Sequence, residues 1–128
     1  MQINQSHSRP SPQGRLIWDV HNLVARSAHL PNKDVPLTAI CELDEPFWFA
    51  DDDVPTCRAI ADHARLIEET DLRYPIILAA DGRVMDGMHR VAKAYLAGHT
   101  TITAVQFTED PPPDYIDVDL ADLPYDDE

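Results

Sequence analysis

The sequence predicts an α+β (mixed α/β) domain, a short-stranded mixed sheet with about three helices packed on it. Three observations carry that reading. Apolar residues recur at helical spacing across residues 56–70 and again after Gly87. Between them, YPIILA at 74–79 is a continuous apolar run, the pattern of a strand buried on both faces. Asp81-Gly82 follows at once and is a strong hairpin signal. A chain of 128 residues with 44% hydrophobic content fits one domain with its own core, without a disulfide or metal staple.

In chain order, residues 1–14 are rich in Gln, Ser, Pro and His and predict a disordered N-terminal segment. The domain proper is expected to span 15–110. Residues 15–30 predict a first helix, with Ile17, Val20, Leu23 and Val24 as its apolar stripe and Pro31 as its stop. DVPLTAI at 34–40 predicts an edge strand, because Pro36 has no N–H for a central ladder. A loop follows that carries the aromatic cluster Phe47, Trp48 and Phe49 and the acidic run Asp51–Asp53.

Residues 56–70 predict the clearest helix, capped by Thr56 after Pro55. Its expected core face is Cys57, Ile60, Ala61, Ala64 and Ile67, with Arg58–Asp62 and Arg65–Glu69 as i,i+4 pairs outside. The hairpin at Asp81-Gly82 leads into a return strand at 83–85. A further helix starts after Gly87, turns Met88, Val91, Ala92 and Tyr95 inward, and stops at Gly98 in the C′ role. TTITAVQF at 100–107 alternates as a strand does. PPP at 111–113 opens an acidic C-terminal tail, 111–128. Its residues 114–128 either dock as an extended segment through Tyr115, Ile116, Val118 and Leu120 or stay loose.

The charge balance excludes several functions. The net charge is −13, from 23 acids against 10 Lys plus Arg. Residues 94–128 hold nine acids and no Lys or Arg, whereas residues 1–93 hold 14 acids and all ten bases, a net of −4. Such a surface repels a phosphate backbone, so unassisted DNA binding is not expected. A basic protein partner for the tail is the alternative to a merely solvated tail. No apolar run approaches the roughly 18 residues that cross a bilayer, and the N-terminus has no apolar signal segment. A cytoplasmic location is the expectation. Cys41 and Cys57 form no CxxC and read as two small, partly buried thiols. His21, His29, His63 and His99 show no zinc-ligand spacing, and neither a Walker A motif nor a GxGxxG occurs.

The informative stretch is DGRVMDGMHRVAK, residues 81–93. A strand, a glycine turn and a helix start bring His89, Arg90 and Lys93 into the first two helical turns. Helix N-termini carry partial positive charge and unpaired N–H donors, so they favour acids. Bases at that end of a helix in an acidic chain point to a held anion, most simply a phosphate.

The arrangement of apolar strand, DG turn, short strand, D-G-x-H-R, helix, glycine and strand at 74–107 resembles the ParB/sulfiredoxin superfamily. The resemblance extends over roughly residues 34–107. It implies a compact ParB/sulfiredoxin-like domain with a nucleotide phosphate site at the helix start. Gly87 would let the backbone approach the phosphate, with Met88 beside it, and His89 and Arg90 would donate to its oxygens. Lys93, one turn on, would add a point charge. Asp86 matches the D-G-x-H-R form of the free serine kinases in that superfamily, which implies a role near a transferred phosphate or on Mg²⁺. A second catalytic carboxylate would come from Glu42, Asp44 or Glu45. Met88 stands where sulfiredoxins carry their cysteine, and a thioether is no nucleophile, so sulfiredoxin activity is not expected. ParB proteins carry a downstream DNA-binding module, and the acidic residues that follow 107 here are not expected to supply one.

Three functions follow as expectations. The first is an ATP- or CTP-type nucleotide-binding domain, extending to phosphoryl transfer or nucleotide hydrolysis with Mg²⁺. The second is a regulatory or adaptor domain that engages a protein through the acidic tail or Phe47–Trp48–Phe49. The third is a nucleic-acid-associated factor that acts through a partner. A structural role stands beside each site residue: Asp86 capping the helix and pairing with Arg90, a packed His89, a solvated Lys93, Met88 and the aromatic cluster in the core, and a polar loop at 42–45.

Overall fold

In the computed structural model, which describes residues 6–49 and 53–117, one four-stranded mixed sheet is covered on both faces. Its strands are β3 (Lys33–Pro36), β4 (Ile76–Leu78), β5 (Val84–Asp86) and β6 (Thr101–Gln106), in the order β3-β6-β4-β5. β4 and β6 run parallel, and the other two pairings are antiparallel. The period-two alternation of strands sorts their side chains into two cores. Ile76, Leu78, Val84, Ile102 and Ala104 face one side, where Met88, Val91 and Ala94 of helix α3 (Met88–Leu96) cover them. Ile77, Met85 and Val105 face the other, against Trp18 and Leu23. The chain is thus α+β, with three helices and a short-stranded mixed sheet, as its patterning predicts.

Several expected elements form where the local signals place them. Helix α2 (Cys57–Glu69) is capped by the Thr56 side chain, which accepts from the Ala59 N–H at 3.0 Å. The Asp81-Gly82 turn joins β4 to β5, and Pro36 ends the edge strand β3. α3 closes in a Schellman motif: His99 N–H donates to Ala94 O and Gly98 N–H to Tyr95 O, with Gly98 at φ +79°. After Pro36 the chain leaves strand geometry and makes two 3₁₀ turns, Leu37–Ala39 and Cys41–Asp44.

The N-terminal part departs from expectation. Residues 16–19 extend into β2 (Leu16–Asp19) rather than helix, and helix α1 starts only at Val20 and runs to Ser27. Asp19 decides this, because its carboxylate accepts from the His21 N–H and caps α1. Leu-Ile-Trp suits a strand paired on both edges, and it is paired with β1 (Ser6–Arg9) and β7 (Tyr115–Ile116). Ile17 and Trp18 are buried, while Val24, expected inward, is exposed.

The disorder expected of residues 1–14 does not hold for 6–9, which pair in full register with β2; residues 1–5 lie outside the described range. Of the tail, the first part docks. Trp18 Nε1 donates to Pro111 O at 2.8 Å, and the Asp114 carboxylate accepts from the Asp19 N–H at 2.8 Å and from Asn22 Nδ2 at 3.1 Å. The docking role offered to Val118 and Leu120 falls outside the described residues, as do Asp51 and Asp52.

Candidate functional site

α3 begins at Gly87, whose φ of +105° turns the chain out of β5 and into the helix. A Cβ there would lie 2.7 Å from Ile76 Cγ2 and 2.8 Å from Arg90 Nη2. A side chain fits neither the left-handed backbone nor the space. Val91 N–H is the first to bond back, to Gly87 O at 3.0 Å. The amides of the first helical turn therefore have no intrahelical partner, and the macrodipole adds positive potential there. They border a cleft of about 580 Å³ whose walls include Phe47, Trp48, Leu66, Glu69 and the 86–90 segment, with His7 of β1 at one side.

The side chains expected to bind phosphate are largely engaged. Arg90 Nη2 donates to Asp86 Oδ2 at 3.1 Å and to Pro75 O at 3.2 Å. This is the i,i+4 pair, and it takes up both the proposed cation and the proposed catalytic acid. Arg90 Nε is buried without a partner among the described residues. Asp86 does not cap α3, since the cap residue is Gly87. Lys93 Nζ donates to Glu68 O at 2.8 Å and Thr70 O at 2.6 Å, so it closes the C-terminal end of α2 rather than standing free. Met88 is buried in the core behind the site.

His89 meets α2 and the aromatic loop. Its Nε2 lies 2.9 Å from His63 Nδ1. Trp48 stacks on both imidazoles, with ring centroids at 4.5 Å from His63 and 4.6 Å from His89, tilted by 19° and 14°. Phe49 meets His63 edge-on at 5.5 Å. Burial, then the charges of His63 and Arg90, hold His89 below its ordinary pKa, against a weaker pull from Asp86.

These contacts also fix the rotation of α2. The side turned inward carries Ala59, His63 and Ile67, with the cap residue Thr70; of the expected Cys57-Ile60-Ala61-Ala64-Ile67 stripe, only Ile67 is partly covered. Ile60 is 55% exposed. On the outside, Arg65 pairs with Asp62 at 3.3 Å, in place of the expected Glu69.

The acids of the 42–45 loop serve another cation. Glu42, 1% exposed, accepts from the Val84 N–H at 2.7 Å and lies 3.3 Å from Arg83 Nε. Glu45 takes Arg83 in a fork at 2.8 and 2.7 Å, and this hydrogen bonding draws its pKa down. Asp44 is exposed. Glu42 and Glu45 line neighbouring hollows, not the cleft at α3. Cys41 accepts from Arg83 Nη1 at 2.8 Å, and burial followed by the Glu42 charge raises its thiol pKa. Both thiols are exposed, contrary to the partly buried reading.

Among the described residues no group of three His, Cys, Asp or Glu gathers as a metal site. With Asp86 held by Arg90, the residues present do not fit the Mg²⁺ that the D-G-x-H-R resemblance implies. Among the described residues, no helix is long and apolar enough to cross a membrane.

Two participants escaped the sequence reading. His63 had a usable signal, since it shares its helical phase with Ala59 and Ile67. His7 had none, lying in a polar segment. Compared with known proteins, the chain matches no family model, no curated protein and no solved structure.

Proposed function

We propose that this domain binds the phosphate of a nucleotide at the N-terminus of α3, as its resemblance to the ParB/sulfiredoxin superfamily implies. One observation carries the reading: the left-handed Gly87 opens unpaired helix amides onto a cleft of nucleotide size. Phe47 and Trp48 in the same cleft supply aromatic surface for a base. The anion is held by backbone amides, because Arg90 and Lys93 are already committed. The engagement of Asp86, Glu42 and Glu45 by arginines favours binding over phosphoryl transfer. Hydrolysis would need one of these carboxylates released.

Thermal shift with ATP, CTP and GTP tests the reading. Saturation at 100 times the dissociation constant stabilises by about 2.7 kcal/mol. A shift with at least one nucleotide, weakened in Trp48→Leu, is the expected result. No shift with any nucleotide at millimolar concentration overturns it. A second reading, an adaptor that engages a protein, rests on the apolar surface left uncovered at Ile60, Tyr95 and Leu96. It predicts a partner whose binding Leu96→Glu abolishes while nucleotide binding is unchanged.

A further inference from the structure

We propose that His63 and His89 form a proton-gated clasp between α2 and α3, whose charge state sets the anion affinity of the α3 N-terminus. The anion half rests on the phosphate reading above; the clasp itself rests on ring geometry. The imidazole centroids are 5.2 Å apart and the planes differ by 20°, with 2.9 Å between the facing nitrogens. That centroid separation equals the nitrogen gap plus one ring radius on each side. The two rings therefore meet edge to edge in nearly one plane. Trp48, almost equidistant from both, roofs the junction.

Proton counting follows from this contact. A bond between two imidazole nitrogens needs one N–H and one lone pair. In the neutral dyad one central hydrogen makes the bond. Of the two outer nitrogens, one carries a hydrogen and the other a lone pair. A first proton takes that outer lone pair, leaves the central bond intact and gives the dyad a single positive charge under the Trp48 face. A second proton puts hydrogens on both central nitrogens, breaks the bond and sets two like charges together. The dyad thus accepts one proton and resists the next.

The groups around it decide when the first proton enters. From α3, Arg90 and Lys93 are cationic, and Asp86 is already paired with Arg90. From α2, Glu69 lines the cleft, and Lys93 binds the Glu68 and Thr70 carbonyls nearby. The aromatic loop presents Phe47, Trp48 and Phe49, which carry no charge. Burial, then the charges of His63 and Arg90, lower the pKa of His89, so the dyad gains its first proton against its surroundings. An anion on the α3 amides, one helical turn or less from His89, supplies the missing counter-charge. By reciprocity, the proton tightens the anion by the factor by which the anion tightens the proton.

Sulfate is the probe, because its own charge does not change above pH 5. Its affinity is measured by calorimetry between pH 8 and pH 5.5 in wild type and His63→Phe. Both imidazoles are followed in parallel by ¹⁵N NMR. In wild type the two histidines are expected to titrate in two separated steps, with sulfate raising the first. Sulfate affinity is expected to rise about tenfold as the pH falls. In His63→Phe the titration collapses to one step and the pH profile of sulfate binding changes. Independent titration of both histidines at ordinary values, or the same sulfate pH profile in wild type and His63→Phe, overturns the proposal. Two coupled steps without sulfate binding at any pH would leave the clasp standing and remove the anion reading of α3.

Discussion

Acid should loosen β1 through one imidazole, that of His7. Its ring packs on Trp18 at 5.7 Å, and its Nε2 is buried without a partner among the described residues. Burial first, then the charges of Arg9 and Arg83, lower its pKa from 6.5 to about 4, against opposing pulls from Asp110 and Asp81. The folded value lies below the unfolded one, so the unfolded chain takes up the proton first. Stability from a neutral His7 is complete above pH 6.5 and is lost as the pH falls toward 4, with no further loss below. At 1.36 kcal/mol per pH unit the loss is about 2 kcal/mol by pH 5 and at most about 3 kcal/mol by pH 4.

The assay is urea unfolding of wild type and His7→Leu at pH 7.5, 6.5, 5.5 and 5.0. All other titrating groups, His89 included, are common to the two proteins and cancel in the comparison. The difference in unfolding free energy between variant and wild type should move by about 2 kcal/mol in the variant's favour between pH 7.5 and 5. The protection factors of the Ser6–Arg9 amides, exchange rates corrected for the intrinsic pH dependence, should fall over the same range in wild type alone. Parallel pH profiles for the two proteins would refute the burial of His7, and with it the docking of β1.

Arg83→Met should cost about 3 kcal/mol in urea unfolding at pH 7, because Glu42 is left as a buried carboxylate without its cation. Glu45→Gln, which removes only the exposed arm of that clamp, should cost clearly less. Gly87→Ala should destabilise by about 3 kcal/mol or prevent folding, since its Cβ meets Ile76 at 2.7 Å at a positive φ. Gly82→Ala, also at positive φ but with nothing within 4 Å, should cost about 1 kcal/mol in the same assay. Lys93→Met should cost about 0.5–1 kcal/mol by opening the α2 C-terminus, seen as faster amide exchange in its last turn.

Where sequence and structure agree, the deciding interactions are short in sequence. Thr56 caps α2, Asp81-Gly82 turns β4 into β5, and Gly98 closes α3, each through bonds to residues at most five positions away. The continuous apolar run at 74–79 and the alternation at 100–107 likewise marked β4 and β6, and the helical spacing after Gly87 marked Met88 and Val91 as core, although Tyr95, expected inward, is exposed. The D-G-x-H-R stretch lies at a helix start, as its glycine and its position after a strand implied; the cleft it borders is visible only in the fold.

What the sequence left open depends on partners distant along the chain. Residues 6–9 are polar and become a strand only because β2 offers them an edge. The apolar stripe of α2 pointed to one face, yet the helix turns another inward. His63 meets His89 26 positions away, and Lys93 reaches carbonyls 23 and 25 positions back. Arg83 gathers Glu42 and Glu45 across a longer span, 38 positions to Glu45, which a charge count in a chain with 23 acids does not reveal. Periodicity records that a helix has an apolar side. The facing surfaces, with their hydrogen bonds and stacked rings, decide which way that side turns, and they exist only once the chain is folded.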